Sequence, residues 1–359
     1  METLRVDLGE NSYDIKFSAD FLGLPKALSD INAPQKLLIV TDTNVNKLYA
    51  NDVKALLDDA GYDTAVYAFC AGEQNKNMSS ILGICGACVS HKMDRKSMII
   101  ALGGGVVGDM AGFAAATYMR GIRFVQVPTT LLSQSDSSVG GKTGIDFEEG
   151  KNIIGAFHQP KLVYINVSTL KTLPNEEFIS GMGEVIKHGI IRDANFFDYL
   201  KNNANRVKAL DCDTLIYMAK TNCAIKADVV MQDEKENGLR AILNFGHTIG
   251  HAVESAFNFT KTHGECVGIG MIGAMYIAQK RGMISIDLLK EAQALMENYG
   301  FLIHAQLPDN KTIWSLMQKD KKKQEGKLKF VLATQKGDVE IVDDITEEEV
   351  SLALDYLRG

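Results

Sequence analysis

Ser97-Met-Ile-Ile-Ala-Leu102 runs directly into Gly103-Gly-Gly-Val-Val-Gly108-Asp109, and this stretch decides the fold. The apolar run is typical of a buried β-strand. Gly103, Gly105 and Gly108 have the spacing GxGxxG, which lets backbone N–H groups approach a pyrophosphate at a helix N-terminus. A structural tight turn gives the same spacing, so the motif is informative because a strand precedes it and a helical pattern follows.

Short β-rich runs alternate with helical patterns around this stretch, as βαβ construction requires. Strands are predicted at 36–41, 64–69, 97–102, 123–127 and 162–166, and helices at 45–60 and 77–91. From Pro174 to about Gly300 the apolar residues recur with a period near 3.6, which indicates helices. We therefore expect an α/β plus all-α protein, with an N-terminal Rossmann-like α/β domain (1–170) and a C-terminal helical domain (171–359). A late hairpin should pair 327–332 with 338–342, after a lysine-rich loop at 319–329.

The composition is that of a soluble globular protein. The chain has 359 residues, of which 46% are hydrophobic and 23% are charged, a length of about two domains. With 38 basic and 45 acidic residues the net charge is -7, which gives no reason to expect a nucleic-acid partner. The N-terminus has no signal-peptide pattern and no apolar stretch is long enough to span a membrane, so we expect a cytoplasmic protein without a membrane partner.

Six cysteines are too few for a disulfide scaffold at this length. Cys85-Gly-Ala-Cys88 has redox or zinc spacing, but a single CxxC is a weak signal and these residues lie in an apolar helical pattern. The sequence predicts reduced thiols in the core.

A metal site is indicated by histidines and a carboxylate in three helical segments. His247 and His251 stand at i and i+4 on one helix face, where two imidazoles can share a metal ion. His263-Gly-Glu265 opens the next helix, and an earlier helix carries further donors. Hydrogen-bonded core histidines are the alternative interpretation. The residues alone do not select three ligands from the five candidates, which are Glu184, His188, His247, His251 and His263.

Six cations lie beside glycines or within apolar helical patterns. This placement suits the binding of an anionic substrate better than it suits a solvated surface. The six cations are Arg120, Lys142, Lys151, Lys187, Lys226 and Arg240. The acid that usually holds an adenine ribose about 20 residues after the glycine loop is missing. Asp42, which ends an earlier strand, is the better candidate, and the alternative is that it caps the helix before Asn44.

The chain resembles the 3-dehydroquinate synthase family over nearly its whole length. The resemblance is carried by Gly103–Gly112, Gln126–Leu132, Asp136–Gly144, Lys151–Asn152, Gly183–Lys187, Arg240–Thr248 and His263–Val267. It implies a Rossmann-like NAD-binding domain, a helical metal- and substrate-binding domain, a cleft between them and a homodimer. Ser133-Gln-Ser135 and Asp146-Phe-Glu-Glu-Gly150 depart from the family pattern, and we expect neither to touch a ligand or cofactor position.

The resemblance also implies the site residues. Zinc or cobalt would be held by Glu184, His247 and His263, which leaves His251 as a substrate contact and His188 without a role. NAD would contact Asp42, Asn44, Glu73, Lys76, Gly104, Gly105, Asp109, Thr129, Thr130, Thr172, Leu173 and Glu177, with Asp136, Lys142 and Lys151 shared between cofactor and substrate. The remaining substrate contacts would be Arg120, Asn152, Lys187, Lys226, Arg240, Asn244 and His251, with Lys321 or Lys322 closing the phosphate site.

The implied substrate is a small phosphorylated sugar acid, 3-deoxy-D-arabino-heptulosonate 7-phosphate, which becomes 3-dehydroquinate and phosphate. NAD⁺ would oxidise C5 transiently, which acidifies the C6 proton so that phosphate leaves from C7. Return of the hydride, ring opening and an intramolecular aldol closure complete the reaction, so the enzyme is a carbon–oxygen lyase. The alternatives are another sugar-phosphate cyclase, a metal-dependent dehydrogenase of the glycerol dehydrogenase type and a non-catalytic anion-binding protein. Arg240, Asn244 and Lys226 favour the first interpretation because they suit a substrate carboxylate.

Overall fold

The structure, a computed structural model, describes residues 1–148, 150–234, 238–257, 260–323 and 328–359, with the backbone alone at 319–323. The chain forms two compact units. The first contains Met1–Leu173 and Leu215–Ala227, and the second contains Pro174–Thr214 and Asp228–Gly359. The boundary predicted at residue 170 is close to the end of the first range, but it did not assign residues 215–227 to the first unit.

Nine strands lie in the described part of the first unit. They are β1 (Glu2–Val6), β2 (Tyr13–Ser18), β3 (Lys36–Asp42), β4 (Asp63–Phe69), β5 (Met98–Gly103), β6 (Arg123–Pro128), β7 (Lys142–Phe147), β8 (Gly150–Phe157) and β9 (Leu162–Asn166). Seven of them form one sheet in the order β1-β2-β9-β6-β5-β3-β4, in which only β1 and β2 pair antiparallel, and β7 and β8 form a separate hairpin. The five predicted strands are confirmed to within one residue at each end, whereas β1, β2, β7 and β8 were not predicted.

Helices cover both faces of this sheet. They are α1 (Leu24–Asp30), α2 (Thr43–Val45), α3 (Asn51–Asp59), α4 (Met78–Ser90) and α5 (Gly105–Thr117), and a π-helical turn joins α2 to α3. In β5, Ile99 and Ala101 pack in one core with α4 and α5, whereas Ile100 and Leu102 pack in a second core with α1 and α3. Burial on both faces explains why the strand that decides the fold is continuously apolar.

The parallel strands of the first unit have their carboxyl ends at the same edge of the sheet. The chain runs from β3 outward to β4 and then returns to β5 on the other side of β3. Ligands bind such sheets at the carboxyl ends of the strands, where the connections diverge in this way. The predicted Rossmann-like α/β architecture is confirmed.

The second unit is mainly helical, as predicted. Its elements are α6 (Asn175–Arg192), α7 (Ala194–Asn202), α8 (Ala204–Lys208), α9 (Cys212–Gln232), α10 (His247–Ala256), α11 (His263–Lys280), α12 (Ile286–Asn298), α13 (Asn310–Lys323), α14 (Glu347–Arg358) and the hairpin β10 (Phe330–Gln335) with β11 (Asp338–Val342). Residues 215–227 of α9 belong to the first unit.

Two details of the second unit differ from the sequence prediction. The loop predicted at 319–329 is wrong for 319–323, which continue α13, because lysine is a good helix former. The hairpin is confirmed, but its first strand begins at Phe330, and Lys327 lies outside the described residues. None of the helices in the described ranges is long and apolar enough to cross a lipid bilayer.

The cysteines follow the core prediction in part. Cys88, Cys223 and Cys266 are buried, but Cys70 is exposed, so the core interpretation is wrong for that residue. Burial raises the pKa of Cys88 to about 12 and also raises that of Cys85, which does not favour redox or metal chemistry at the CxxC pair.

Candidate active site

Glycines bring three helices of the second unit close together. A Cβ atom on Gly264 of α11 would lie 1.9 Å from the carbonyl oxygen of Ser180 on α6. A Cβ on Gly270 would lie 1.9 Å from the carbonyl oxygen of Gly246, at the start of α10. Because the helix backbones approach more closely than any side chain permits, residues at the first turns of α10 and α11 face α6.

Glu184, His247 and His263 meet at this junction. The Glu184 Oε1 atom lies 3.7 Å from His247 Nε2 and 3.8 Å from His263 Nε2. Glu184 is 1% exposed, and the three ligand atoms all lie within 4.8 Å of one another. The structure therefore brings together two imidazoles and one carboxylate from α6, α10 and α11.

Local sequence signals place both histidines at helix starts. Gly246, the residue before His247, has a φ of +79°, a left-handed conformation that glycine adopts without strain and that allows α10 to begin sharply. Thr262, the residue before His263, forms a capping box with Glu265. The Glu265 carboxylate accepts from the Thr262 backbone N–H at 3.0 Å, so this residue fixes the helix start.

A second set of groups orients the two rings. His247 Nδ1 donates to the Phe245 carbonyl oxygen at 3.1 Å, and His263 Nδ1 donates to Glu254 Oε2 at 3.4 Å. Both Nε2 atoms are thus left to face Glu184, as is usual for metal-binding histidines. The sequence analysis missed Glu254. It stands seven residues after His247 on the same helix, so extending the i, i+4 pattern to i+7 would have found it.

The donor set fits a divalent metal. Among the described residues, Glu184 Oε1 is a buried oxygen without a hydrogen-bond partner, whereas Oε2 accepts from Lys187 Nζ. Burial, with a contribution from the Lys187 charge, holds the pKa of His247 well below its usual range, so this ring is neutral. A neutral imidazole beside a carboxylate oxygen that lacks a donor is chemistry that zinc or cobalt satisfies.

The other histidines hold different positions. The His251 ring lies 5.2 Å from that of His247 between centroids, and its side chain is exposed. His188 is buried one turn after Glu184 on α6. The i, i+4 spacing paired His247 with His251, but one possible ligand group joins His247 with Glu184 and His263, and another joins His251 with Glu254 and His263.

The predicted NAD residues of the first unit follow the carboxyl ends of its parallel strands. Asp42 ends β3, Glu73 and Lys76 follow β4, Gly104, Gly105 and Asp109 follow β5, Thr129 and Thr130 follow β6, and Thr172 and Leu173 follow β9. Glu177 lies in α6 of the second unit. Parallel strands place the first group at one edge of the sheet.

This edge has the features of a nucleotide site. A Cβ on Gly104 would lie 3.1 Å from Thr130 Cγ2, so a side chain there would fill the space in front of α5. The Thr129 hydroxyl is buried and has no hydrogen-bond partner in the described part of the chain. Asp42 Oδ1 accepts from the backbone N–H groups of Asn44 and Val45 at 2.7 and 2.9 Å, which confirms the helix-cap interpretation of that residue.

Lys76 joins three other predicted residues. Its Nζ lies 2.7 Å from Asp109 Oδ2 and donates to Asn152 Oδ1 at 2.5 Å, with Glu73 Oε1 at 3.8 Å. Burial opposes the ammonium charge, but Asp109 and Glu73 outweigh it and raise the pKa of Lys76. Lys76 is therefore a cation at the carboxyl edge of the sheet.

Asp136 and Lys226 form a second pair in the first unit. Lys226 Nζ, on α9, lies 2.7 Å from Asp136 Oδ1 and donates to the Asp136 carbonyl oxygen at 2.6 Å. Lys142 and Lys151 stand exposed on the hairpin of β7 and β8. Thr172 contacts the Tyr49 hydroxyl, a partner that no sequence pattern indicated.

The remaining predicted cations are placed separately. Arg120 is exposed and has a φ of +69°, directly after Met119 at +49°, and within the described ranges it forms no ion pair. Arg240 is 3% exposed and donates from Nη1 to the Glu234 carbonyl oxygen at 2.7 Å. It lies in a 3₁₀ turn, Leu239–Asn244, which ends at the exposed Asn244. The side chains of Lys321 and Lys322 lie outside the described residues.

The two departures from the family pattern both contact residues that were predicted for the site. The Ser133 hydroxyl lies 2.9 Å from Thr130 Oγ1 and accepts from the Thr130 backbone N–H. Asp146 Oδ1 accepts from the Asn152 backbone N–H at 2.8 Å. Both departures therefore form hydrogen bonds with predicted site residues, because short polar side chains in tight turns bond to neighbouring backbone groups.

Family models and similar proteins of known sequence indicate the same family for this chain. Residues 66–180 match the family model described as 3-dehydroquinate synthase N-terminal, and residues 181–323 match 3-dehydroquinate synthase C-terminal. A 3-dehydroquinate synthase from Ruminiclostridium cellulolyticum is 48% identical over 334 residues, 93% of each chain. The solved 2-epi-5-epi-valiolone synthase from Streptomyces hygroscopicus subsp. jinggangensis, with NAD⁺ and Zn²⁺ bound, is 27% identical with a TM-score of 0.90 over 98% of both chains. A 2-deoxy-scyllo-inosose synthase complexed with carbaglucose-6-phosphate, NAD⁺ and Co²⁺ is 23% identical with a TM-score of 0.83, over 98% of this chain and 99% of that chain.

Proposed function

The chain belongs to the 3-dehydroquinate synthase family, and from this membership we infer that it converts 3-deoxy-D-arabino-heptulosonate 7-phosphate to 3-dehydroquinate and phosphate. It is a carbon–oxygen lyase of the shikimate pathway, which leads to chorismate and the aromatic amino acids. The observation that carries this conclusion is 48% identity over 93% of both chains to a protein of that activity.

We propose Glu184, His247 and His263 as the ligands of a catalytic Zn²⁺ or Co²⁺ ion. The proposal is supported by the buried Glu184 oxygen that faces both Nε2 atoms and by the Zn²⁺ and Co²⁺ in the two cyclase structures. When bound, the metal supplies a Lewis acid for substrate hydroxyl oxygens. The Lys187 Nζ atom donates to Glu184, which places this side chain beside the same carboxylate.

We propose that the carboxyl edge of the first-unit sheet binds NAD, which supplies a hydride acceptor at C5 of the substrate and returns the hydride later. Gly104 and Gly105 leave room for the backbone N–H groups of α5 to reach a pyrophosphate. Asp42 is proposed for the adenine ribose, through the oxygen that does not cap α2. The remaining proposed contacts are Asn44, Glu73, Lys76, Asp109, Thr129, Thr130, Asp136, Lys142, Lys151, Thr172, Leu173 and Glu177.

The substrate has two anionic ends, and the proposed residues divide between them. Arg240, Asn244 and Lys226 would bind the carboxylate, since guanidinium and ammonium groups make charge-assisted hydrogen bonds with it. The phosphate contacts would be Arg120, Lys142, Asn152 and His251. We further propose a homodimer, in which the exposed Arg120 serves the partner subunit, and a cytoplasmic location.

The experiment is to measure phosphate release from 3-deoxy-D-arabino-heptulosonate 7-phosphate with catalytic NAD⁺, following NADH absorbance in parallel, before and after chelation. Release over many turnovers per NAD⁺, without NADH build-up and lost on chelation, is the expected result. Release from glucose 6-phosphate instead would move the chain to the inosose-forming branch. Steady NADH accumulation with a simple polyol would make it a dehydrogenase.

A further inference from the structure

Asp136 lies in an unusual helical turn. Ser133–Ser137 form a π-helical turn at the end of a short helical segment, and the chain then passes through two glycines, Gly140 and Gly141, with φ values of +105° and +66°. Such turns occur often at functional sites. Where the segment ends, the Asp136 carbonyl oxygen accepts from the Val139 backbone N–H at 3.1 Å, so side-chain donors at this turn add to the backbone bonds.

Helix α9 supplies donors to three consecutive carbonyl oxygens of this turn. Cys223 Sγ donates to the Gln134 oxygen at 3.2 Å, and Asn222 Nδ2 donates to the Ser135 oxygen at 2.6 Å. Lys226 Nζ donates to the Asp136 oxygen at 2.6 Å. All of these residues belong to the first unit, and both Asn222 and Cys223 are 0% exposed.

We propose that Asn222 is a positioning residue for the Asp136–Lys226 pair. It acts through the Ser135 carbonyl, one residue before Asp136, and it stands one helical turn before Lys226. Its amide therefore fixes the distance between the π-helical turn and the face of α9 that carries the lysine. The inference rests on the proposed function, in which Asp136 and Lys226 contact substrate or cofactor. A site residue displaced by a fraction of an ångström binds its ligand less well.

The test is the Asn222→Leu variant, which keeps the branched shape of the side chain and removes the donor. The KM for 3-deoxy-D-arabino-heptulosonate 7-phosphate should rise at least about fivefold. A merely structural role would lower the amount of folded enzyme, and thus the maximal rate, but would leave KM unchanged.

Tyr164→Phe is the matched control. The Tyr164 hydroxyl is also a buried donor to a backbone carbonyl of the same unit, that of Asp20 at 3.0 Å, and its described hydrogen bonds involve no proposed site residue. This variant should lower the midpoint of thermal unfolding and leave KM within about twofold of wild type.

Lys226→Met provides the reference for a lost site residue. A KM of Asn222→Leu within twofold of wild type, beside a large rise in Lys226→Met, overturns the inference. An unchanged KM in Lys226→Met also overturns it, because the pair would then lie outside the site. Failure of the proposed function would look different, since wild-type enzyme would release no phosphate. If Asn222→Leu does not fold, Asn222→Ser is judged by the same criterion.

Discussion

Replacing Gly264 by alanine should separate α6 and α11, the two helices that carry the proposed ligands Glu184 and His263. The added Cβ atom would lie 1.9 Å from the Ser180 carbonyl oxygen and 2.5 Å from two further Ser180 backbone atoms. All of these are backbone atoms, so no side-chain rotation relieves the overlap. His263 immediately precedes Gly264, and Glu184 stands one turn after Ser180, so the strain acts directly on two proposed ligands.

The size of the displacement follows from the contact. To move from 1.9 Å to at least 3.0 Å, α6 and α11 must separate by about 1.1 Å. Metal–ligand distances tolerate only about 0.2 Å, so the same three side chains can no longer hold one ion well. We expect metal affinity to fall at least about tenfold, as when a residue that orients a metal ligand is removed. The free energy of unfolding should fall by about 1–3 kcal/mol, the usual cost of overpacking.

The assay is metal content per chain after dialysis, with affinity from competition against a chelator and stability from denaturant unfolding. Gly86→Ala is the control, because this glycine lies exposed within α4 and a Cβ there meets no atom within 4 Å. It should keep its metal and gain about 0.5–1 kcal/mol of stability. A Gly264→Ala protein that binds one metal ion per chain with wild-type affinity would refute the reasoning.

Three further predictions concern the ligand set, acid stability and thiol reactivity. His263→Ala should lose bound metal while staying folded, whereas His251→Ala should keep the metal and lose turnover; equal metal loss in both would contradict the ligand assignment. Hydrogen bonding to Arg281 lowers the pKa of Glu349 to about 2 from its ordinary 4.5. Stability from this pair is therefore present above about pH 4.5 and lost toward pH 2, and Glu349→Gln should show a smaller loss in unfolding experiments over that range. Cys88 should resist alkylation, followed by mass spectrometry, until the protein unfolds, because burial raises its thiol pKa to about 12.

The central strands were predictable because a strand that is buried on both faces has apolar residues at consecutive positions. β5 is the clearest case, and β3, β4, β6 and β9 follow it. β1 was missed because Glu2-Thr-Leu-Arg-Val6 is short, charged and largely exposed at the sheet edge. β8 was missed for a related reason, since most of its residues face solvent and its glycines weaken any strand signal.

The site was predictable where a local motif carries it. The glycine loop and the His247–His251 spacing are visible within one turn of chain. The choice of His263 as partner depends on the glycine contacts of α6, α10 and α11, which join residues far apart in sequence. Glu254 and Asn222 were missed because each bonds to another residue that is distant in sequence. Nothing in the local pattern distinguishes such groups from ordinary core polar residues.

The return of residues 215–227 to the first unit makes that unit discontinuous along the chain. A fragment that stops at Leu173 would lack Cys223, Asn222 and Lys226, and the π-helical turn would lose the three side-chain donors that α9 supplies. The two units are therefore unsuited to separate expression at the apparent sequence boundary. Any treatment that melts α9 therefore withdraws these donors from the first unit, even though α9 follows residue 173 in the chain.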